Sequence, residues 1–331
     1  MKILVTGAAG FLGGRLGKAL ASQTDHEVTG TSRRSHRQAE FEALGIRFVA
    51  GDLTEQAFCR SIVQGQEVII HCAALSSPWG SYQAFYSANV LATKYLADAA
   101  KQGGVQRFLN ISTPSIYFNF GDQWGVTEAT PLPKKSVNQY AATKLEAEQY
   151  VLAQHTERFA TLSLRPRAII GAEDQVIFPR LIRAYEEGRL RIIGKGDNLA
   201  SLTSMPNLIQ AIQAAIEAPL SGYGQVYNIC DPEPIQLWED INFVLTSMGK
   251  VPVSRHLPYG VGMFAATVSE TIARLRGGKK EPTLTRYGIG ILARNFTMNP
   301  YLAQAQLGYD PPVSTREGLQ EFLDWYQLTT S

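Results

Sequence analysis

The feature that most restricts the fold of this chain is the alternation of short apolar runs with helical patterns. The runs predicted as strands are residues 2–6, 27–31, 46–50, 67–71, 107–112, 160–165 and 226–229. Helical patterns occupy residues 11–22, 54–64, 81–102 and 139–155 between them. Several runs are apolar on both faces, as in a parallel sheet that helices cover on both sides. We therefore predict an α/β fold built on a doubly wound parallel sheet.

The charge and cysteine content narrow the range of partners. The 331 residues include 31 basic and 29 acidic side chains, so no broad electrostatic field is available to recruit nucleic acid. The absence of any run of about 18 apolar residues argues against stable membrane insertion but leaves peripheral association open. Cys59, Cys72 and Cys230 are odd in number and lack paired spacing, so we expect a cytoplasmic protein without a metal centre or disulfide framework. The expected partner is a small-molecule substrate.

A glycine-rich turn follows the first predicted strand. Gly7, Gly10 and Gly13 are spaced G-x-x-G-x-x-G, and the next helix begins with Phe11 and Leu12. Glycine permits a tight turn and lets a pyrophosphate approach backbone N–H groups at the start of a helix. The pattern indicates a dinucleotide-binding loop in a Rossmann-type sheet. Its spacing is one residue looser than the usual fingerprint and also suits a purely structural turn.

The end of the second strand indicates which dinucleotide binds. NAD-binding proteins usually place an acidic residue there, but this chain has Ser32 and Arg33, followed by Arg34. A hydroxyl and a guanidinium hold a 2′-phosphate through charge-assisted hydrogen bonds, whereas a carboxylate would repel it. We therefore predict NADP, with NAD as an option and a solvated basic turn as the alternative interpretation.

Further cofactor contacts are predicted near other strand ends. They are Asp52, Leu53, Ala73, Ala74, Asn89 and Pro166. Asp52 can accept a hydrogen bond from adenine, cap the next helix, or do both. The small alanines after the fourth strand let a ribose or nicotinamide lie against the backbone, and the preceding His71 is interpreted as a packed residue. Asn89 lies within a predicted helix, where an amide needs a buried partner.

The predicted proton-transfer residues lie in the helix at residues 139–155. Tyr140 and Lys144 are one helical turn apart and therefore lie on nearly the same face. A tyrosine that transfers a proton near pH 7 needs a pKa well below its usual value of ~10, and a nearby ammonium lowers it. Thr113, at the end of the fifth strand, is the predicted holder of the substrate oxygen, with Ser112 and Ser115 as alternatives.

Taken together, TGAAGFLG, GDL, HCAA, STPSIY and YAATK resemble the motifs of the extended short-chain dehydrogenase/reductase family, and the likeness extends over nearly the whole chain. The resemblance implies that the three glycines form the cofactor loop and that Tyr140 transfers the proton. It implies that Lys144 binds the nicotinamide ribose and lowers the pKa of Tyr140. It also implies that Thr113 is the catalytic hydroxyl residue and that Asn89 supports the active site.

The residues after Thr113 separate branches of this family. Nucleotide-sugar dehydratases carry an Asp-Glu pair there, whereas this chain has Pro114 and Ser115, so dehydration is not expected. Residues 77–90, 165–171 and 281–287 resemble the 3β-hydroxysteroid dehydrogenase-like branch. That branch includes sterol-4-carboxylate dehydrogenases and bacterial 2-alkyl-3-oxoalkanoate reductases. Residues 204–207 read SMPN and depart from the usual segment, which leaves the substrate side undefined.

The expected substrate surface is mostly apolar. Its aromatic candidates are Trp79, Phe118, Phe120 and Trp124. Residues 261–275, with Met263 and Phe264, suit an acyl or sterol pocket, a membrane-contacting patch or a simple core. Four arginines offer an alternative grip on a nucleotide-sugar diphosphate, or else form a solvated helical face with their neighbouring glutamates. They are Arg180, Arg183, Arg189 and Arg191.

We therefore predict an NADP-dependent oxidoreductase that interconverts a secondary alcohol and a ketone on a 3-hydroxy or 3-keto acid or a sterol-like substrate. A nucleotide-sugar epimerase and a non-enzymatic NADP-binding redox sensor are the alternatives. Residues 1–165 form the predicted NADP-binding Rossmann domain, to which residues 204–231 return. Residues 166–203 and 232–331 form a smaller, mainly helical C-terminal substrate lobe. Helix pairing in many members of the family implies a homodimer.

Overall fold

The computed structural model describes residues 1–278 and 280–330, so Lys279 and Ser331, both within the predicted substrate lobe, lie outside the described residues. The strands are β1 (Lys2–Thr6), β2 (Glu27–Ser32), β3 (Arg47–Ala50), β4 (Val68–His71), β5 (Arg107–Ile111), β6 (Gln123–Val126), β7 (Ala160–Pro166), β8 (Ile169–Ile170), β9 (Ile192–Ile193), β10 (Leu199–Ala200), β11 (Thr203–Ser204), β12 (Val226–Ile229), β13 (Ile235–Gln236), β14 (His256–Leu257) and β15 (Phe296–Met298).

The helices are α1 (Phe11–Gln23), α2 (Gln38–Ala43), α3 (Gln56–Ile62), α4 (Tyr82–Phe85), α5 (Ala92–Gln102), α6 (Gln139–Ala153), α7 (Phe178–Glu186), α8 (Met205–Glu217), α9 (Leu237–Ser247), α10 (Tyr259–Leu275), α11 (Arg286–Ala293), α12 (Tyr301–Leu307) and α13 (Thr315–Thr330). A π-helical turn, Tyr86–Leu91, joins α4 to α5 within the single helix that the sequence predicts at residues 81–102. The structure adds α2, which the sequence pattern does not predict.

A parallel sheet forms the centre of the protein and confirms the predicted doubly wound fold. Within the described residues, seven strands pair in the order β3-β2-β1-β4-β5-β7-β12. Ile3 and Val5 face one side of the sheet, with α1 and α8, whereas Leu4 faces the other side, with α3 and α5. The strand order reverses beside β1, and the carboxyl ends of all the strands meet at one edge, where open α/β sheets bind ligands.

Residues 232–330 are mainly helical, and α10 has two contrasting faces. Met263 packs into a core with Trp238 and Ile289, whereas Phe264 is 72% exposed. The helix predicted at residues 261–275 therefore contributes Met263 to a core and turns Phe264 towards solvent. No helix in the described part of the chain is long and apolar enough to cross a membrane.

Candidate active site

The glycine turn joins β1 to α1 at the carboxyl edge of the sheet. Gly7 has a φ of +68°, a left-handed conformation that favours glycine, and a Cβ there would lie 2.9 Å from the Cα of Ala73. A Cβ on Gly13 would lie 2.4 Å from the carbonyl oxygen of Gly7. The turn therefore requires glycine at both positions, and it lies directly against the segment that follows β4.

The start of α1 fits an anionic group. Gly10 is the N-cap, and no side chain caps the helix. The N–H groups of the first turn, which includes Phe11 and Leu12, can therefore bind an anion that the helix dipole also stabilises. Ser32 ends β2, and Arg33 is exposed just beyond it. The uncapped helix start and the exposed guanidinium have the chemistry that the phosphates of a dinucleotide require.

The other strand ends bring more of the predicted contacts to the same edge. The Asp52 carboxylate accepts hydrogen bonds from the N–H and the hydroxyl of Thr54, both 2.9 Å long, and so stabilises the turn after β3. Leu53 is buried beside it, and Pro166 is the buried last residue of β7. The alternative prediction that Asp52 caps the next helix is wrong, because Glu55 is the N-cap of α3 and the Asp52 carboxylate bonds within the preceding turn. A role of Asp52 towards adenine stays a prediction.

A buried chain of hydrogen bonds supports the segment after β4. The Thr93 hydroxyl donates to the Asn89 carbonyl at 2.7 Å, so it must accept from His71 Nε2, 2.8 Å away. His71 Nδ1 then accepts from Thr6 Oγ1 at 2.9 Å, and Thr6 Oγ1 accepts from the N–H of Ala73. Burial, with a smaller effect of the Lys144 charge, lowers the pKa of His71 to about 3. His71 is therefore a neutral packed residue, as predicted.

Asn89 contacts the backbone of this segment. Its Oδ1 accepts from the Leu75 N–H at 2.7 Å, and its Nδ2 donates to the Leu75 carbonyl at 3.3 Å and to the Thr143 hydroxyl at 3.2 Å. Asn89 is fully buried within the π-helical turn. These bonds use its amide, so Asn89 supports the backbone that follows Ala73 and Ala74, and its direct contact with the cofactor stays a prediction.

Lys144 is held between α6 and β5. Its Nζ donates a 2.6 Å hydrogen bond to the carbonyl oxygen of Ile111, and its side chain is 2% exposed. Burial lowers the pKa of Lys144 to about 8, although the charge of Glu148 opposes the shift. Glu148 itself receives a 2.8 Å hydrogen bond from Arg165 Nε and a second bond from the same guanidinium. The ammonium therefore lies in an enclosed, charged region under the predicted cofactor edge.

Tyr140 and Thr113 meet as predicted. Burial raises the pKa of Tyr140, while hydrogen bonds with Ser76 and Thr113 lower it and the neighbouring Tyr287 raises it further. The resemblance implied that Lys144 lowers this pKa, but in the protein alone the net shift is upward because desolvation of the phenolate is the largest influence. Lys144 is directed at the Ile111 carbonyl and is not among the groups that shift Tyr140.

Two further hydroxyl residues extend this site. The Thr113 hydroxyl donates to Ser115 Oγ at 3.1 Å, and Ser115 Oγ lies 2.8 Å from the Tyr287 hydroxyl. By contrast, the predicted alternative Ser112 has a buried Oγ without a hydrogen-bond partner in the described residues. Ser76 and Tyr287 were not singled out as site residues from the sequence, because neither lies near Tyr140 along the chain. Thr113 is thus the hydroxyl beside Tyr140, and Ser115 lies one bond further on.

A cavity of about 960 Å³ opens beside these hydroxyl groups. Tyr287, Phe85 and Trp79 contribute to its wall, and its charged lining side chains are Lys134, Lys135, Glu270, Arg274 and Arg286. Glu270 accepts from both the backbone N–H and the Nε of Arg286, at 2.8 and 2.9 Å. Among the described residues of this lining, four cations and one anion give the pocket a net positive charge, which suits an anionic substrate.

The other predicted substrate residues have different positions. Phe118 and Phe120 pack edge to face in the core beneath the cavity, and Trp124 is 59% exposed. Among the four arginines, Arg180 pairs with Glu281 and Arg189 with Glu187. The residues that line the cavity include Trp79 but none of the four. The predicted arginine grip on a diphosphate is therefore not formed at this pocket.

The sequence profile of a known family matches this chain. The matching segment is residues 3–230, and the family is described as the NAD dependent epimerase/dehydratase family. The match covers more than half of the chain. The protein belongs to the NAD dependent epimerase/dehydratase family, the extended short-chain dehydrogenase/reductase class that the motifs predict.

Two individual proteins and one crystal structure show which members of the family this chain is similar to. The chain is 34% identical to a 2-alkyl-3-oxoalkanoate reductase of Stenotrophomonas maltophilia (strain K279a), over 97% of this chain and 98% of the relative. It is 26% identical to a mouse (Mus musculus) sterol-4-alpha-carboxylate 3-dehydrogenase, decarboxylating, over 96% of this chain and 89% of the relative. The crystal structure of a Bacillus cereus UDP-glucuronic acid 4-epimerase in complex with NAD shares the fold, with a TM-score of 0.78, 24% identity and full coverage of both chains.

Proposed function

We propose that this protein is an NADP-dependent oxidoreductase that interconverts a secondary alcohol and a ketone on a 3-hydroxy or 3-oxo acid. The observation that carries the proposal is the meeting of the Tyr140 and Thr113 hydroxyl groups beside the buried Lys144, at the sheet edge that also holds the glycine turn. A redox sensor that only binds dinucleotide needs no such proton donor.

The site residues have distinct roles in this reaction. A bound nicotinamide cofactor supplies or accepts the hydride. During reduction, Tyr140 donates its phenolic proton to the substrate oxygen, and the Thr113 hydroxyl holds that oxygen; during oxidation, Tyr140 accepts the proton. Lys144 holds α6 against β5 and binds the nicotinamide ribose. The first turn of α1 and Arg33 hold the phosphates.

The substrate class follows from a feature that two relatives share. By their names, one reduces a ketone at C3 of a carboxylic acid, and the other oxidises C3 of a sterol that carries a carboxylate at C4. In both compounds, the carboxylate is attached to the carbon next to the reacting carbon. The positive charge of the cavity in this protein supports a substrate of the same kind. Nucleotide-sugar epimerisation receives less support, because the arginines expected to hold a diphosphate do not line this cavity.

Steady-state kinetics test the proposal. Purified protein is assayed by NADPH absorbance with 2-alkyl-3-hydroxyalkanoates and NADP⁺, with 3-oxo acids and NADPH, and with UDP-glucuronic acid. We expect net cofactor turnover with the acids and a lower KM for NADPH than for NADH. Conversion of the UDP-sugar without net cofactor turnover would instead show an epimerase.

The expected cytoplasmic homodimer also stays a prediction. Sedimentation equilibrium of the purified protein, with and without NADP⁺, distinguishes one copy from two. A single species at the monomer mass of about 36.4 kDa would contradict the dimer.

A further inference from the structure

Arg167 holds a positive charge inside the protein without a counter-charge. Its side chain is 7% exposed, its Nε has no hydrogen-bond partner, and no carboxylate among the described residues pairs with it. Arg165, two residues earlier, is equally buried but is bonded twice to Glu148. The contrast is informative, because a buried charge destabilises a protein unless an opposite charge compensates it.

The side chain of Arg167 is held in place. Its backbone N–H donates to Thr203 Oγ1 at 2.9 Å and to the Ile229 carbonyl at 3.0 Å. Its guanidinium lies over the ring of Phe296, 4.7 Å from the centroid. The backbone bonds and the ring contact both restrict where the guanidinium can lie. Burial lowers the pKa of Arg167, which reflects the cost of this unpaired charge.

Tyr287 connects this charge to the active site. The guanidinium of Arg167 packs on Phe296, whose ring centroid lies 5.9 Å from that of Phe118. Tyr287 lines the cavity. Its ring packs at right angles against Phe118, and its hydroxyl is bonded to Ser115. Arg167 also directly follows the last residue of β7, and β7 pairs with β5 through Leu164 and Ile111, so Arg167 lies at the same edge of the sheet as Thr113.

We propose that Arg167, together with the Tyr287 hydroxyl, binds the carboxylate of the substrate. This inference rests on the proposed function and names the residues that recognise the acid. In a 3-oxo acid, two bonds separate the carboxyl carbon from the reacting carbon, a distance of about 2.5 Å, so the carboxylate must lie beside Tyr140. The planar guanidinium presents paired N–H donors that match a carboxylate.

The test compares an acid with its neutral methyl ester. Wild-type protein and the variants Arg167→Met and Arg167→Lys are assayed for oxidation of a 2-alkyl-3-hydroxyalkanoate and of its ester with NADP⁺. We expect R167M to lower kcat/KM for the acid about 30- to 100-fold, the usual effect of losing a hydrogen bond to a charged group, and to change the ester less than about threefold. R167K should restore part of the activity with the acid. Arg60→Met, which removes an exposed cation on α3 outside the cavity, serves as the matched control and should preserve the preference for the acid.

Two measurements keep a folding defect separate from a binding defect. The thermal midpoint of R167M should equal or exceed that of the wild type, because the variant removes an uncompensated charge. NADPH affinity, measured by fluorescence titration, should not change. An equal loss on acid and ester, a loss of NADPH affinity, or a loss of acid preference in R60M with none in R167M would overturn the inference. Wild-type protein that is inactive on both compounds would refute the proposed function and this inference with it, whereas wild-type activity without a preference for the acid would refute the inference alone.

Discussion

The ammonium of Lys144 donates a 2.6 Å hydrogen bond to the carbonyl oxygen of Ile111, the last residue of β5. This bond ties α6 to the end of the strand. Tyr140 lies one helical turn before Lys144, and Thr113 lies two residues after Ile111, so the same bond helps to bring their hydroxyl groups together. Lys144 therefore has a structural position as well as the role in cofactor binding that we propose.

Replacing Tyr140 by phenylalanine removes the proposed proton donor and keeps the ring. We expect kcat to fall by about 10²- to 10⁴-fold, the usual contribution of general acid–base catalysis, with little change in NADPH affinity. Tyr301→Phe is the control, because Tyr301 is exposed at the start of α12. Stopped-flow measurement of hydride transfer checks the result, and a Y140F protein that keeps normal turnover would contradict the assignment.

The buried Lys144 makes stability depend on pH. The unfolded chain keeps this proton up to about pH 10.5, whereas the folded protein releases it near pH 8, since its pKa is lowered to about 8. Between those values the unfolded state binds more protons, so the contribution of Lys144 to the free energy of unfolding rises with pH; below pH 8 its full cost is present. That cost is about 3 kcal/mol at ~1.4 kcal/mol per pH unit.

Urea denaturation of wild type and Lys144→Met at pH 7.5, 8.5 and 9.5 measures this effect. Relative to the wild type, Lys144→Met should have its highest free energy of unfolding at pH 7.5. As the pH rises, the free energy of unfolding of the wild type should increase relative to that of the variant. If the difference in free energy of unfolding between the two proteins stayed constant from pH 7.5 to 9.5, the pKa of Lys144 in the folded protein would lie outside this range.

Removing one partner of the buried ion pair between Arg165 and Glu148 should strongly destabilise the protein. Arg165→Met leaves the Glu148 carboxylate enclosed without its partner, and we expect a loss of about 3–5 kcal/mol in the free energy of unfolding. The double variant R165M/E148M should recover much of that loss. As a comparison, Arg189→Met removes a solvent-exposed pair with Glu187 and should cost less than about 1 kcal/mol. Equal losses in the buried and exposed variants would contradict this account.

Arg33 should decide between the two dinucleotides. Arg33→Asp places a carboxylate where we expect the 2′-phosphate, so kcat/KM with NADPH should fall about 10- to 100-fold while kcat/KM with NADH changes little. Arg60→Ser, on α3, controls for the loss of a positive charge elsewhere. Parallel loss with both cofactors would mean that Arg33 does not contact this phosphate.

The residues that could be predicted from the sequence are those whose chemistry depends on local pattern. The glycine turn is recognisable because Gly7 needs a left-handed conformation and Gly13 packs against a carbonyl, and both constraints act within one turn of chain. Tyr140 and Lys144 are likewise fixed by helical spacing. Thr113 could be placed because parallel strands end at the same edge of the sheet.

The remaining site residues depend on contacts between distant segments. Tyr287 meets Ser115 across 172 positions, and no short motif encodes that approach. The upward shift of the Tyr140 pKa depends on how much water the folded protein excludes, which helical spacing does not describe. The missing partner of Arg167 is also invisible in the sequence, because Arg165 and Arg167 look alike until their surroundings are known.

The cavity wall formed by Glu270, Arg286 and Tyr287 lies beyond the segment, residues 3–230, that matches the family. The residues that we propose to bind the cofactor and transfer the proton lie in the matching segment, together with cavity-wall residues such as Trp79 and Phe85, whereas another part of the wall lies outside it. For enzyme engineering, exchanging the final hundred residues between members of this family would replace that part of the cavity wall and leave Tyr140, Lys144 and Thr113 in place.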